Sequence, residues 1–213
     1  MLDDHARRER LDRSRLYLVL EARPHGKDPR PLLDAALRGG VDVVQLRDKE
    51  LDDDELIAAA GSFRAACAEH GALFVLNDRP DLVEACGADG VHVGRGDTPV
   101  PAARALVEPA RIVGVSASTV EELEHVRGAD YVGVTAFTTP TKEDAVAGGL
   151  DLLRAAERAL TIPWFAIGGV DVANVAEVVA AGAPGVAVVR AIRDADDPEV
   201  AARTLRRALD RQE

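Results

Sequence analysis

Gly39-Gly40-Val41-Asp42-Val43-Val44-Gln45-Leu46-Arg47-Asp48-Lys49-Glu50 contains a helix stop, a buried strand and a row of polar groups in one short stretch. The glycines close the amphipathic segment before them, because a glycine just past a helix supplies its left-handed cap. The run Val41–Asp48 starts at once and is rich in valine and leucine, as a parallel strand covered on both faces is. Its far end changes character. Gln45, Arg47 and Lys49 alternate with period two and so point the same way along an extended chain. A buried strand has no structural use for such a row, and a solvated strand end is its bland alternative.

The same unit recurs in both directions from this stretch. Apolar runs lie at Leu16–Glu21, Ala72–Asp78, Gly90–Gly94, Arg111–Ala117, Tyr131–Phe137, Pro163–Val170 and Gly185–Ile192, which with Val41–Asp48 makes eight. Helical patterns such as Leu51–His70, Thr119–Arg127, Leu150–Ala159 and Val172–Ala181 separate them. Glycine punctuation returns at Cys86-Gly87-Ala88-Asp89-Gly90, Arg127-Gly128-Ala129-Asp130 and Ala181-Gly182-Ala183-Pro184-Gly185. Strand–helix alternation implies βαβ units and a parallel sheet, and eight units favour a closed (β/α)8 barrel. The rival is a doubly wound open sheet. It carries a Gly-rich phosphate loop after its first strand, whereas here that strand runs into Leu20-Glu21-Ala22-Arg23-Pro24. The expected organisation is one α/β domain, a TIM barrel over residues 16–213. An extra charged N-terminal helix over 1–15 either plugs the N-terminal mouth or is solvated.

The 213 residues suit one such domain, and an apolar content of 47 % is enough for its core. A net charge of −11 excludes a basic field for nucleic acid or an anionic membrane. Any anionic substrate must be caught by a few local cations. The opening MLDDHARRERLDRSR has no apolar core segment, and no run approaches the ~18 apolar residues of a membrane span, so a cytoplasmic protein is expected. Cys67 and Cys86 fall inside helical patterns without a CxxC pair and read as free buried thiols.

Barrels of this kind place chemistry where strands end. Arg47 and Lys49 on one face suit a polyphosphate, the first as a fork and the second as a point charge. The third run ends Leu76-Asn77-Asp78-Arg79 and the fourth Val93-Gly94-Arg95-Gly96-Asp97. Either aspartate alone reads as a helix cap. Two at one mouth beside Arg47 and Lys49 read as a site for Mg2+, which takes one or two protein carboxylates and completes its shell with phosphate and water. His92 reads as a hydrogen-bonded interior residue. Ser116 has no evident histidine partner and reads as a hydroxyl donor to phosphate rather than a nucleophile. Thr138-Thr139-Pro140-Thr141-Lys142 is a turn rich in anion donors, or an ordinary polar loop. Gly168-Gly169 after the seventh run, and Val189-Arg190 in the eighth, fall where these barrels bind a phosphate. A cation-plus-metal pocket and a monophosphate pocket together suggest an enzyme that joins two phosphorylated molecules.

In order along the chain, YLV (17–19), GGVDVVQLRDKE (39–50), NDR (77–79), GADGVHVG (87–94), GVSAST (114–119), ADYVGV (129–134), TPTK (139–142), AIGGV (166–170) and the VAVVRAI run ending at 192 resemble the thiamine-phosphate synthases. The resemblance implies a Mg2+-dependent transferase. It would join a hydroxymethylpyrimidine pyrophosphate to a thiazole phosphate, giving thiamine phosphate and pyrophosphate. With no activated nucleophile in sight and cations placed for the leaving group, bond breaking first by way of a pyrimidine cation is expected, with direct displacement by the thiazole nitrogen as the alternative. The resemblance also implies that Gln45, Arg47, Lys49, Asn77, Ser116 and Lys142 meet the pyrimidine pyrophosphate. Among these, Arg47, Lys49, Ser116 and Lys142 would act in catalysis. Asp78 and Asp97 would hold Mg2+, and Thr139, Thr141, Gly169, Val189 and Arg190 would form the thiazole phosphate pocket. The family usually has Ser at position 190, often has His at 118, commonly has Thr-Asp at 20–21, and has one more residue and a Pro before Thr139. Neither nucleic acid nor membrane is an expected partner, and a homo-oligomer is compatible with the sequence. The alternatives are a related thiazole tautomerase, a phosphate-sensing barrel without catalysis, and another phosphate-binding barrel such as one from tryptophan synthesis. Asp78, Asp97 and Lys49 argue against the first two, and the lack of an acid/base pair at the strand ends argues against the third.

Overall fold

The computed structural model describes residues 3–94, 96–137 and 149–210. Helix α1 (Asp4–Arg13) precedes strand β1 (Leu16–Leu20), and α2 (Arg30–Arg38), β2 (Val43–Leu46), α3 (Asp53–His70), β3 (Leu73–Asn77), α4 (Val83–Cys86), β4 (Gly90–Val93) and α5 (Val100–Leu106) follow. The second half holds β5 (Ile112–Ala117), α6 (Val120–Leu123), β6 (Tyr131–Thr135), α7 (Gly149–Ala159), β7 (Trp164–Ile167), α8 (Val175–Ala180), β8 (Val186–Val188), α9 (Arg190–Arg193) and α10 (Pro198–Leu209). The strands pair in parallel in chain order, and β1 closes on β8 through Leu16–Val186 and Leu18–Val188. All eight expected runs are strands of this barrel. The helix expected over Thr119–Arg127 is only the single turn of α6, because the amide of Glu124 already bonds back to Glu121 and Glu122.

Alternation along each strand divides the core in two. Leu16, Leu18, Leu20, Val44, Leu46, Phe74 and Leu76 point outward against Leu33, Ala36 and Phe63 of the surrounding helices. Tyr17, Val19, Val43, Leu73, Val75, Ile112, Tyr131 and Phe165 fill the inside. Phe165 packs edge-on against both tyrosines, with ring centroids 5.3 Å and 5.8 Å away. Gly114 makes this possible, since a Cβ there would lie 2.1 Å from the Tyr131 ring.

The N-terminal end of the barrel is built on a repeat. Gly40, Gly87 and Gly128 adopt positive φ, and two residues after each stands Asp42, Asp89 or Asp130. Each carboxylate accepts a backbone N–H near the start of a neighbouring strand: Leu16 at 3.0 Å, Phe74 at 3.0 Å and Val113 at 2.8 Å. Each also takes an arginine. Arg206 of α10 reaches Asp42 at 2.8 Å, Arg7 reaches Asp89 at 3.1 Å, and Arg8 and Arg104 both reach Asp130. Helix α1 therefore covers the mouth, with Arg7 and Leu11 buried on it. Cys67 on α3 and Cys86 on α4 are free and buried.

Candidate active site

The C-terminal ends of the strands surround a cavity of about 770 Å³. Gln45, Arg47, Asn77, Ser116, Gly169, Val189 and Arg190 line it, so residues from β2, β3, β5, β7 and β8 converge as the strand-end reading expected. Strand β2 stops at Leu46, which leaves Arg47 and Lys49 beyond the ladder. Arg47 faces the cavity, while Lys49 turns to the carboxylate of Asp78, 3.0 Å away. Neither Arg47 nor Arg190 has a carboxylate partner among the described residues. Thr139, Thr141 and Lys142 lie outside the described residues.

Asp78 follows β3 at φ 61°, a left-handed conformation that costs a residue with a side chain about 1 kcal/mol or more. Its amide donates to the carbonyl of His92 at 2.8 Å, which fixes the turn. The carboxyls of Asp78 and Asp97 are close enough that the charge of each acts on the other. Burial pushes Asp78 up, but its interactions with Asp97 and Lys49 outweigh it and hold the group below the usual carboxylate range. Burial and the neighbouring Asp78 push Asp97 up instead. Asp97 Oδ2 also accepts the Gly94 amide at 3.0 Å. Neither aspartate caps a helix: α5 begins after Pro99, and Arg79 precedes the 3-10 turn that follows β3.

Gly168 and Gly169 both have positive φ. A Cβ at 168 would lie 2.5 Å from the carbonyl oxygen of Phe137, so the close approach seen here is between the β6 and β7 loops. Val189 precedes α9, and Arg190, its first residue, is exposed.

Ser116 does have a histidine partner, contrary to the reading from sequence. His92 Nε2 lies 2.9 Å from Ser116 Oγ. The two are 24 residues apart, and only the pairing of β4 with β5, His92 opposite Gly114, brings them together. His92 is hydrogen-bonded in the interior, as expected, with Nδ1 3.1 Å from the Tyr131 hydroxyl. The sequence reading assigned no role to Tyr17 and Tyr131, which are the chain's two tyrosines and both line the cavity. The available signal was their inward position on a strand.

A family profile described as thiamine monophosphate synthase matches residues 16–192. A thiamine-phosphate synthase of Thermobifida fusca is 44 % identical over 211 residues, covering 97 % of this chain and 97 % of that protein. One from Nostoc sp. is 42 % identical over 210 residues and 97 % of this chain, but the match spans only 59 % of that longer protein. Among solved structures, a thiamine phosphate pyrophosphorylase from Pyrococcus furiosus superposes with a TM-score of 0.86 at 33 % identity, over 94 % of this chain and 98 % of that one. A 3-hexulose-6-phosphate synthase shares the fold, with a TM-score of 0.68 at 23 % identity over 92 % of this chain and 99 % of that one.

Proposed function

The chain belongs to the thiamine monophosphate synthase family, and we propose that it joins a pyrimidine methyl pyrophosphate to a thiazole phosphate, releasing pyrophosphate and thiamine phosphate. One observation carries this reading. Arg47 and Arg190 line a single cavity without carboxylate partners among the described residues, on a chain whose net charge is −11. In a protein this acidic, unpaired cations lining one cavity mark a place for anions.

Two anions fit it. On the β2–β3 side, Arg47, Lys49 and Asn77 would hold the pyrophosphate, with Gln45 and Ser116 beneath it. On the β7–β8 side, Gly169, Val189 and Arg190 would hold the monophosphate. Thr139, Thr141 and Lys142 would complete the two subsites.

Asp78 and Asp97 would hold Mg2+. Their donor set fits a hard cation, being two adjacent carboxyls, one of them pushed up by burial and by the other. When bound, the ion neutralises charge on the pyrophosphate oxygens.

The chain's own residues suit bond breaking before bond making. The C–O bond to pyrophosphate breaks and the electron pair leaves with it, under the charge of Arg47 and Lys49 and a hydrogen bond from Ser116. Preorganised charge on a leaving group lowers the barrier because it binds the transition state better than the ground state. The thiazole nitrogen, held nearby by its phosphate, then donates its lone pair to the methylene cation. The test is an assay of the purified protein with Mg2+, thiazole phosphate, and either the parent or a trifluoromethyl pyrimidine. We expect thiamine phosphate from the parent and a rate lower by at least about 100-fold, or ~2.7 kcal/mol, from the substituted one. No product from the parent overturns the reading. Equal single-turnover rates overturn the order of events.

A further inference from the structure

Five side chains from five strands form one hydrogen-bonded row across the barrel beneath the cavity. Gln45 Nε2 donates to the Tyr17 hydroxyl at 2.7 Å, and the two phenol oxygens are 2.9 Å apart. The Tyr131 hydroxyl is 3.1 Å from His92 Nδ1, and His92 Nε2 is 2.9 Å from Ser116 Oγ. The barrel makes room for the row. Gly114 leaves space for the Tyr131 ring, and a Cβ on Gly133 would come within 3.3 Å of the His92 ring.

The row has a direction. An amide nitrogen can only donate, so the Tyr17 oxygen accepts from Gln45 and has one proton to place. That proton goes to Tyr131, since a buried hydroxyl proton without an acceptor is costly. Both phenols stay protonated, because burial pushes each well above its ordinary value. Tyr131 in turn places its proton on His92 Nδ1. An imidazole that accepts at Nδ1 carries its own proton on Nε2. That N–H donates to Ser116 Oγ, and the serine proton is left to point into the cavity that Ser116 lines.

We infer that the row Gln45→Tyr17→Tyr131→His92→Ser116 is one-way, holding His92 as its Nε2–H tautomer and making Ser116 a donor to the departing anion. A histidine already protonated at Nε2 cannot take the serine proton, so the pair is no nucleophilic dyad despite its spacing. Tyr17, Tyr131 and His92 are positioning residues. The inference rests on the reading that pyrophosphate departs beside Ser116.

The experiment reads the tautomer directly in the substrate-free protein. Long-range 1H–15N spectra of protein labelled in its five histidines, with His92 assigned by His92→Gln, should show a neutral ring protonated at Nε2. A ring protonated at Nδ1, or at both nitrogens near neutral pH, overturns the inference. In Tyr131→Phe the Nδ1 resonance should move, because the hydroxyl that donates to it is gone, and an unmoved resonance overturns it too. In Gln45→Glu an ionised carboxylate can only accept, so a folded variant should switch His92 to Nδ1–H from three residues away in the row. An unchanged tautomer there means that Gln45 does not set the direction. Thiamine phosphate formation is scored separately. An Nε2–H ring in a protein that makes no thiamine phosphate leaves the row intact and removes the proposed function. An Nδ1–H ring in an active protein does the reverse.

Discussion

Carboxylates stand at both ends of this barrel in opposite company. At the N-terminal end, Asp42, Asp89 and Asp130 each bind a strand amide and at least one arginine. At the C-terminal end, Asp78 and Asp97 lie against each other with the half-exposed Lys49 on Asp78, and among the described residues Arg47 and Arg190 go without carboxylates. The first arrangement satisfies charge within the chain. The second sets two carboxyls side by side with a half-exposed lysine on one of them and, among the described residues, leaves both arginines without a counter-charge, which costs stability unless something from outside joins them. Under the proposed function the contrast separates residues that hold the fold from residues placed to meet a ligand, and substitutions at the two ends should report on different quantities.

The largest effect should come from Asp78→Ala. Losing one carboxylate of the proposed cation site should lower kcat by about 100- to 1,000-fold, the range seen when one preorganised charge contact is removed. The melting temperature should fall only slightly, because the ion pair lost with Lys49 is partly exposed and alanine accepts the left-handed turn at φ 61° a little less well than aspartate. A variant that unfolds while keeping its turnover per folded molecule would place Asp78 with the structural set. Asp89→Ala should do the converse. Arg7 is 2 % exposed, and without Asp89 it keeps a buried charge and the Phe74 amide loses its acceptor. We expect about 3 kcal/mol less stability by denaturant unfolding, with kcat of the folded fraction unchanged. Equal loss of both quantities would mean the two ends are not independent.

The two ends also differed in how far the sequence exposed them. The strands were legible because a parallel strand covered on both faces is a nearly continuous apolar run, and glycine punctuation marked where several of the helices stop. The polar strand ends were legible for the same reason, since Gln45, Arg47, Asn77 and Ser116 interrupt patterns that otherwise stay apolar. Partners were not legible. Tyr17, Tyr131, His92 and Ser116 belong to four strands, and their contacts depend on the stagger with which the barrel closes. Helix α1 was seen as charged, but nothing local says that Arg7 would be buried on Asp89, 82 residues away.

The finest separation of the two ends comes from Asp97→Asn. Asp97 is pushed up by burial and by Asp78, so in the native state it holds its proton to higher pH than in the unfolded chain. A group shifted this way stabilises the fold below its unfolded pKa, and that contribution is lost as pH rises through the folded one. At neutral pH the ionised pair therefore works against the fold. The substitution removes one of the two charges and keeps an oxygen able to accept the Gly94 amide. In chelator at neutral pH the variant should be more stable than the parent, by no more than about 1 kcal/mol because solvent reaches the pair. The advantage should shrink as pH falls through the raised pKa of Asp97, where the parent carries a proton at the same place. Added Mg2+ should raise the melting temperature of the parent more than that of the variant, closing the gap from the other side. An arginine-paired aspartate of the opposite end, replaced in the same way, can only lose stability. If Asp97→Asn also loses stability in chelator, the two aspartates are not in mutual opposition, and the contrast between the ends fails at the place where it is most specific.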